Sequence, residues 1–175
     1  MTDKAEAGLL NFYEKYLLPY KDKEVNFLEL GVFKGESLDY FNSFFTHPKT
    51  KIVGYDFRFL HENPFERVSL VKGHQENVLE LQELGNTKGP FDIILDDCSH
   101  YGEFTQRSFD FLFSHLKSGG VYIIEDWTAG FYSAQFRGIP EMLGICLENF
   151  NNYKIKEIRA LRLPEGGAIA IIEKL

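Results

Sequence analysis

Two acidic clusters stand where apolar runs stop. Phe91-Asp92-Ile93-Ile94-Leu95 leads into Asp96-Asp97-Cys98-Ser99-His100, and Val121-Tyr122-Ile123-Ile124 leads into Glu125-Asp126-Trp127. Short apolar runs of this kind suit strands covered on both faces. In open α/β sheets, ligands bind beyond the carboxyl ends of such strands. The two clusters therefore read as the floor of an active site. Asp97, Glu125 and Asp126 offer the carboxylate oxygens that hold a hard divalent cation, Mg2+ or Mn2+. His100 follows closely after Asp97, and an imidazole titrates near neutrality, so it could take a proton from a substrate hydroxyl. A cation at that hydroxyl would ease its deprotonation, so metal and base would act together. The competing explanation for the carboxylates is helix capping and solvated turns.

Other chemistries fit these residues less well. Cys98 and His100 are i and i+2 in a turn, a spacing that rarely aligns a nucleophile with its base, and no oxyanion hole is indicated. Cys98, His100 and Asp97 are too crowded in sequence for a zinc tetrahedron.

The elements that must position these groups follow from periodicity. Residues 25–30 read as a first buried strand, which enters Glu29-Leu30-Gly31-Val32-Phe33-Lys34-Gly35-Glu36-Ser37 and then a helix over about 37–45. A strand, glycine-containing turn and helix make the nucleotide-binding corner of a doubly wound fold. Gly31 can take the tight turn and admit a ligand to the backbone, and Gly35 allows close approach at the helix start. Phe33 holds the place of the central glycine of the dinucleotide pattern, so by itself the turn is equally a helix cap. Residues 51–57 read as the second strand, ending at Asp56. An acidic residue at about this distance from the glycine turn bonds ribose hydroxyls, and the alternative is that Asp56 only caps a turn. Residues 67–72 read as the third strand, and Gly73-His74-Gln75-Glu76-Asn77 after it as the edge of an adenine pocket or a solvated loop.

The remaining chain completes an α/β pattern. Apolar spacing predicts helices over 2–18, 78–84, 103–116 and 140–150, and strands over 121–124, 153–162 and 168–173. Pro19 ends the first helix, which covers the sheet edge or lids the pocket. Residues 85–90 read as a loop, and Lys117-Ser118-Gly119-Gly120 as a helix stop. Residues 128–138, aromatic and glycine-rich, read as a mobile lid or substrate loop. Trp127, Phe131 and Tyr132, before and within it, either stack on a substrate ring or line an apolar lid. The last two strands pair as an antiparallel hairpin. The expected architecture is Rossmann-like: a seven-stranded, mostly parallel sheet with helices on both faces, as a single domain over 1–175.

Bulk properties agree. The chain of 175 residues, 44% hydrophobic with 17 Phe, can bury a core. A net charge of −7 argues against a broad nucleic-acid footprint. Two cysteines make no disulfide framework, and no apolar run reaches the roughly 18 residues of a membrane span. A cytoplasmic protein without membrane or nucleic-acid partners is expected.

These motifs together resemble the class I S-adenosylmethionine-dependent methyltransferases. They are most similar to the metal-dependent sugar O-methyltransferases of the macrolide and rhamnosyl type. The resemblance is carried by the Glu29–Ser37 turn, by Asp96-Asp97-Cys98-Ser99-His100 and by Gly119-Gly120-Val121-Tyr122-Ile123-Ile124-Glu125-Asp126-Trp127. It implies S-adenosylmethionine held by Glu29, Gly31, Gly35, Ser37, Asp56, Gln75 and Asp96. It implies Mg2+ or Mn2+ on Asp97, Glu125 and Asp126, with His100 as general base and Asp97 beside it in catalysis. His74 departs from the family's run before Gln75, and Cys98 stands where relatives often carry glycine. The implied reaction is methyl transfer to a hydroxyl of a rhamnose-like sugar or glycan, by a homo-oligomer or as part of a larger glycan-building protein. The alternatives are methylation of another small-molecule diol, as by catechol-type enzymes, and a nucleotide-binding protein without methyl transfer.

Overall fold

The computed structural model describes residues 3–60 and 65–175. Its strands are β1 (Asn26–Leu30), β2 (Lys51–Asp56), β3 (Val68–Lys72), β4 (Phe91–Asp96), β5 (Leu116–Glu125), β6 (Ile155–Arg162) and β7 (Ala168–Lys174). They form one sheet in the order β3-β2-β1-β4-β5-β7-β6. Strands β1 to β5 pair in parallel, while β7 runs antiparallel to both β5 and β6. The expected mostly parallel sheet with a C-terminal hairpin is thus present. Sequence order reverses direction between β1 and β4. The crevice at such a switch point is where an open α/β sheet receives its ligand.

Both faces of the sheet are covered, which is why its strands read as continuous apolar runs. One face carries α1 (Asp3–Glu6), α2 (Leu9–Tyr16) and α3 (Glu36–Phe44), and Tyr13, Leu17, Phe41 and Phe45 pack there on Phe27, Ile93 and Ile123. The other carries α4 (Val78–Lys88), α5 (Gly102–Leu112) and, after the short α6 (Ala129–Tyr132), α7 (Ile139–Glu148). Leu84, Phe109 and Met142 pack there on Leu28, Ile94 and Tyr122. Each fully buried side chain of this size contributes about 1.5–3 kcal/mol. Alternation decides the site as well as the core. Glu29, Asp97 and Glu125 share the parity of Phe27, Leu95 and Ile123 and so face α1 to α3, whereas Asp96 shares that of Ile94 and faces the other layer.

Several boundaries differ from the sequence expectation. The helix expected over 2–18 begins at Thr2, outside the described residues, and is broken at Gly8, whose φ of 74° is left-handed. The chain after it passes through a 3-10 turn at Leu18–Tyr20 that contains Pro19. Helix α4 continues through Gly85 to Lys88 instead of ending at Leu84. Gly85 serves packing: a Cβ there would lie 2.4 Å from the His115 ring. Helix α5 ends at Leu112 and tightens into a 3-10 turn at Phe113–His115. Lys117 to Gly120 are no helix stop but the irregular start of β5, where the register moves from Phe91↔Leu116 to Ile93↔Val121. The expected loop over 128–138 folds into α6 and a 3-10 turn at Ala134–Phe136. There the Gly102 N–H bonds the Arg137 carbonyl at 3.1 Å, and the Trp127 indole donates to the Leu161 carbonyl at 2.9 Å.

Candidate active site

The carboxyl ends of β1, β2, β4 and β5 open onto a cavity of about 800 Å³, within the range of small-molecule sites. At one end lies the turn after β1. Gly31 has φ 88°, and a Cβ on it would lie 2.1 Å from the Asp97 carbonyl oxygen. Glycine is needed here because the chain leaving β4 crosses directly over it, its Asp97 N–H bonding the Leu30 carbonyl at 2.9 Å. Asp56 fastens the same turn. Its Oδ2 accepts the Val32 and Phe33 N–H groups at 2.8 and 3.0 Å, and its Oδ1 accepts Arg58 N–H at 3.1 Å. The turn-capping role of Asp56 is therefore present, on a carboxylate that also lines the cavity. Gly35, with φ 79°, is the N-cap residue of α3 and donates to the Val32 carbonyl at 2.8 Å. Ser37 is buried in the first turn of α3 and lines the cavity.

Two of the carboxylates expected at the cofactor lie beneath the wall. Glu29 is fully buried, and neither oxygen has a hydrogen-bond partner among the described residues. Burial pushes it up to about 8, against the opposing pull of Lys4 and Ser37. Asp96 accepts the Gln75 amide at 2.9 and 3.1 Å and the Tyr122 hydroxyl at 3.1 Å. Burial raises it to about 7, with the Tyr122 bond acting against the rise. Gln75 also accepts Ser99 N–H at 3.2 Å and Ser99 Oγ–H at 2.5 Å, so it ties the end of β3 to the end of β4. Phe57 and His74 stand on this side of the cavity, ring centroids 6.2 Å apart and inclined by 31°.

Beyond the chain that crosses Gly31, Asp97, His100 and Asp126 converge on the same cavity, with donor atoms within 4.8 Å of one another. His100 Nε2 is 3.9 Å from both Asp97 Oδ1 and Asp126 Oδ2. Two left-handed residues produce this meeting: His100 at φ 58° and Asp126 at φ 52° turn the chain sharply after β4 and β5. The Asp126 N–H is held by the Ala168 carbonyl at 2.8 Å. Glu125, the third expected ligand, is drawn to the opposite side of Asp97. Its Oε1 accepts Tyr13 Oη–H at 2.7 Å and Lys4 Nζ–H at 2.6 Å, and Lys4 also donates to Asp97 Oδ2. Burial, with Asp97 nearby, pushes Glu125 up to about 7 against Lys4. Burial alone would lower the Lys4 ammonium, but Glu125 and Asp97 outweigh it and hold it raised. Cys98 is a free thiol raised by burial, in keeping with an inert side chain.

Lys4 and Tyr13 went unread in the sequence. A lone lysine ahead of an amphipathic helix looks like any solvated cation, and no spacing rule marks it. Phe104, which joins the cavity wall beside His100, read only as a core position of its helix.

The donor set fits a hard divalent cation, since oxygen ligands from two strand ends face one space. The ammonium already held between Asp97 and Glu125 shows that this pair accepts a positive charge. The Gly31 turn, where a Cβ would strike the Asp97 carbonyl, and the Asp56 carboxylate on the cavity wall fit a nucleoside cofactor.

No protein-family model matches the chain. The mycinamicin VI 2''-O-methyltransferase of Micromonospora griseorubida is 35% identical over 125 residues, and the demethylmacrocin O-methyltransferase of Streptomyces fradiae 37% identical over 125. Each match covers 67% of this chain and 31% of the relative. Its homologues are sugar O-methyltransferases. Among solved structures, MycE methyltransferase from the mycinamycin biosynthetic pathway, in complex with Mg and SAH, superposes with TM-score 0.77 at 26% identity, over 94% of this chain and 48% of that one. The O-methyltransferase from Bacillus cereus, also in complex with SAH, matches in fold alone, with TM-score 0.68 at 16% identity over 99% of this chain. The fold is that of the class I methyltransferases. The chain spans about a third of the length of its curated sugar O-methyltransferase relatives and about half that of MycE. Among the described residues, no helix is long and apolar enough to cross a membrane.

Proposed function

We propose that this chain is an S-adenosylmethionine-dependent O-methyltransferase domain acting on a hydroxyl of a sugar or glycan, rhamnose-like in character. One observation carries the reading. The Gly31 turn, fastened by Asp56, and the Asp97, His100 and Asp126 cluster line a single cavity. The turn would take the cofactor, with Asp56 at the ribose, Phe57 and His74 flanking the adenine, Ser37 and Gln75 around the remainder, and Glu29 buried behind them. The cluster would take the acceptor, with Asp97, Glu125 and Asp126 about a divalent cation. When bound, S-adenosylmethionine would supply an electrophilic methyl group and Mg2+ or Mn2+ would supply positive charge beside the acceptor oxygens.

The chain's own part is positioning and proton removal. His100 Nε2 would take the hydroxyl proton as the acceptor oxygen receives the methyl group that bound S-adenosylmethionine would supply. Asp97 Oδ1 and Asp126 Oδ2, both 3.9 Å from that nitrogen, would stabilise the imidazolium. Holding the hydroxyl in line with the leaving sulfur is the larger contribution. A small-molecule or glycan acceptor, a cytoplasmic location and no membrane or nucleic-acid partner complete the proposal. The acceptor class is supported by relatives named for O-methylation of mycinamicin VI, demethylmacrocin and a rhamnosyl-tetracenomycin.

The test is calorimetric titration of S-adenosylmethionine, with NADH as control, followed by methyl-transfer assays on rhamnosyl glycosides with Mg2+ or EDTA. Transfer should need the metal, and His100→Ala should slow it by about 10²–10⁴-fold while cofactor binding persists. Transfer only to catechols would move the acceptor to aromatic diols. Binding of NADH in place of S-adenosylmethionine would overturn the proposal.

A further inference from the structure

Lys4 is buried, 4% exposed, and its ammonium is shared between Asp97 Oδ2 and Glu125 Oε1, the latter at 2.6 Å. A divalent cation coordinated by those same two oxygens would sit about 2.1 Å from each. It would therefore claim the space that Nζ fills, and two cations cannot share it. Lys4 reaches this place from α1, a four-residue helix joined to α2 through left-handed Gly8. At its end the Gly167 N–H bonds the Ala7 carbonyl at 3.2 Å, and within it the Gly8 N–H bonds the Ala5 carbonyl at 3.3 Å. Tyr13, on α2 beyond the glycine, holds Glu125 independently at 2.7 Å.

We propose that Lys4 is a resident internal cation of the carboxylate cluster, which a divalent cation must displace, with the segment ahead of Gly8, to be held by Asp97 and Glu125 together. Lys4 thereby sets the metal affinity of the site. It offsets the charge of buried Glu125 and half-buried Asp97 and keeps them spaced until the metal arrives, and Tyr13 retains Glu125 during the exchange. The inference rests on reading Asp97, Glu125 and Asp126 as the metal site.

Mn2+ binding to the full chain, followed by the electron paramagnetic resonance of the free ion, tests it in the wild type and in Lys4→Met, which keeps the bulk and removes the charge. The variant should bind Mn2+ about tenfold or more tightly, since no competitor must leave. Equal or weaker binding overturns the inference. A second measurement needs no variant. Acetylation of the Lys4 amine in the wild type, read by peptide mass spectrometry, should speed up by about tenfold when Mn2+ saturates the protein, in step with the shift in segment population. Saturation with Lys4 still shielded overturns the displacement and leaves the metal site standing. Failure of both proteins to bind Mn2+ overturns the metal site and the inference with it.

Discussion

Replacing Glu29 by Gln removes a titratable group that the fold holds in an unfavourable place, and the effect has a pH signature. Glu29 lies on β1 facing α3, fully buried, with both carboxylate oxygens unpartnered among the described residues. Burial raises it from 4.5 to about 8. Between those values the native state keeps a proton that the unfolded chain has released. Its contribution to stability is thus complete below 4.5 and is lost progressively as pH rises to about 8. At about 1.4 kcal/mol for each pH unit in that interval, the full loss is roughly 5 kcal/mol, an upper scale for a fully buried group. Gln does not titrate, so the variant lacks this slope. It keeps a pH-independent penalty of about 1–3 kcal/mol for a buried amide without partners. Urea denaturation of both proteins between about pH 5 and 9 measures the difference directly. The wild type should lose stability relative to Glu29→Gln by a few kcal/mol across that range, with the order of stability reversing at the alkaline end. Parallel curves would refute the argument, because they would mean that Glu29 is ionised, or protonated, equally in both states.

Two further substitutions address the turn. Gly31→Ala should destabilise by about 2–4 kcal/mol, because it combines a left-handed backbone with a Cβ driven against the Asp97 carbonyl. The loss should appear in the urea midpoint, and S-adenosylmethionine binding should weaken with it. Asp56→Ala strips the acceptor from the Val32 and Phe33 N–H groups. It should lower stability by about 2–4 kcal/mol, whereas Asp56→Asn, which retains one carbonyl oxygen, should lose less. Equal losses in the two variants would show that the cap does not matter.

Much of the architecture was legible in the residues. Strands β1, β2, β4 and the second half of β5 are buried on both faces, so their apolar runs declare themselves, and the polar groups that interrupt them mark the end at which a ligand binds. The C-terminal pair reads as a hairpin because a glycine-rich turn separates two β-rich runs. Boundaries were harder to read wherever a glycine served packing. Gly85 reads as a helix stop, yet it lies inside α4 because the His115 ring needs the space. Gly119 and Gly120 likewise read as a stop but lie in the irregular start of β5.

The chemistry of the site divides in the same way. Residue type and strand parity alone determined that Asp97 and Glu125 share a face, that Asp96 takes the other, and that His100 follows closely enough to join Asp97. Parity within a strand depends only on local backbone geometry, which repeats with a fixed period, and the pairing of β4 with β5 then brings Asp97 and Glu125 together. Tertiary structure alone decided that Gly31 makes room for the chain leaving β4, that Asp56 fastens the turn after β1, and that Lys4 crosses to Asp97 and Glu125. Lys4 is separated from them by 93 and 121 positions. No periodic pattern reaches that far, because such a contact exists only once the sheet has closed and α1 has docked on it.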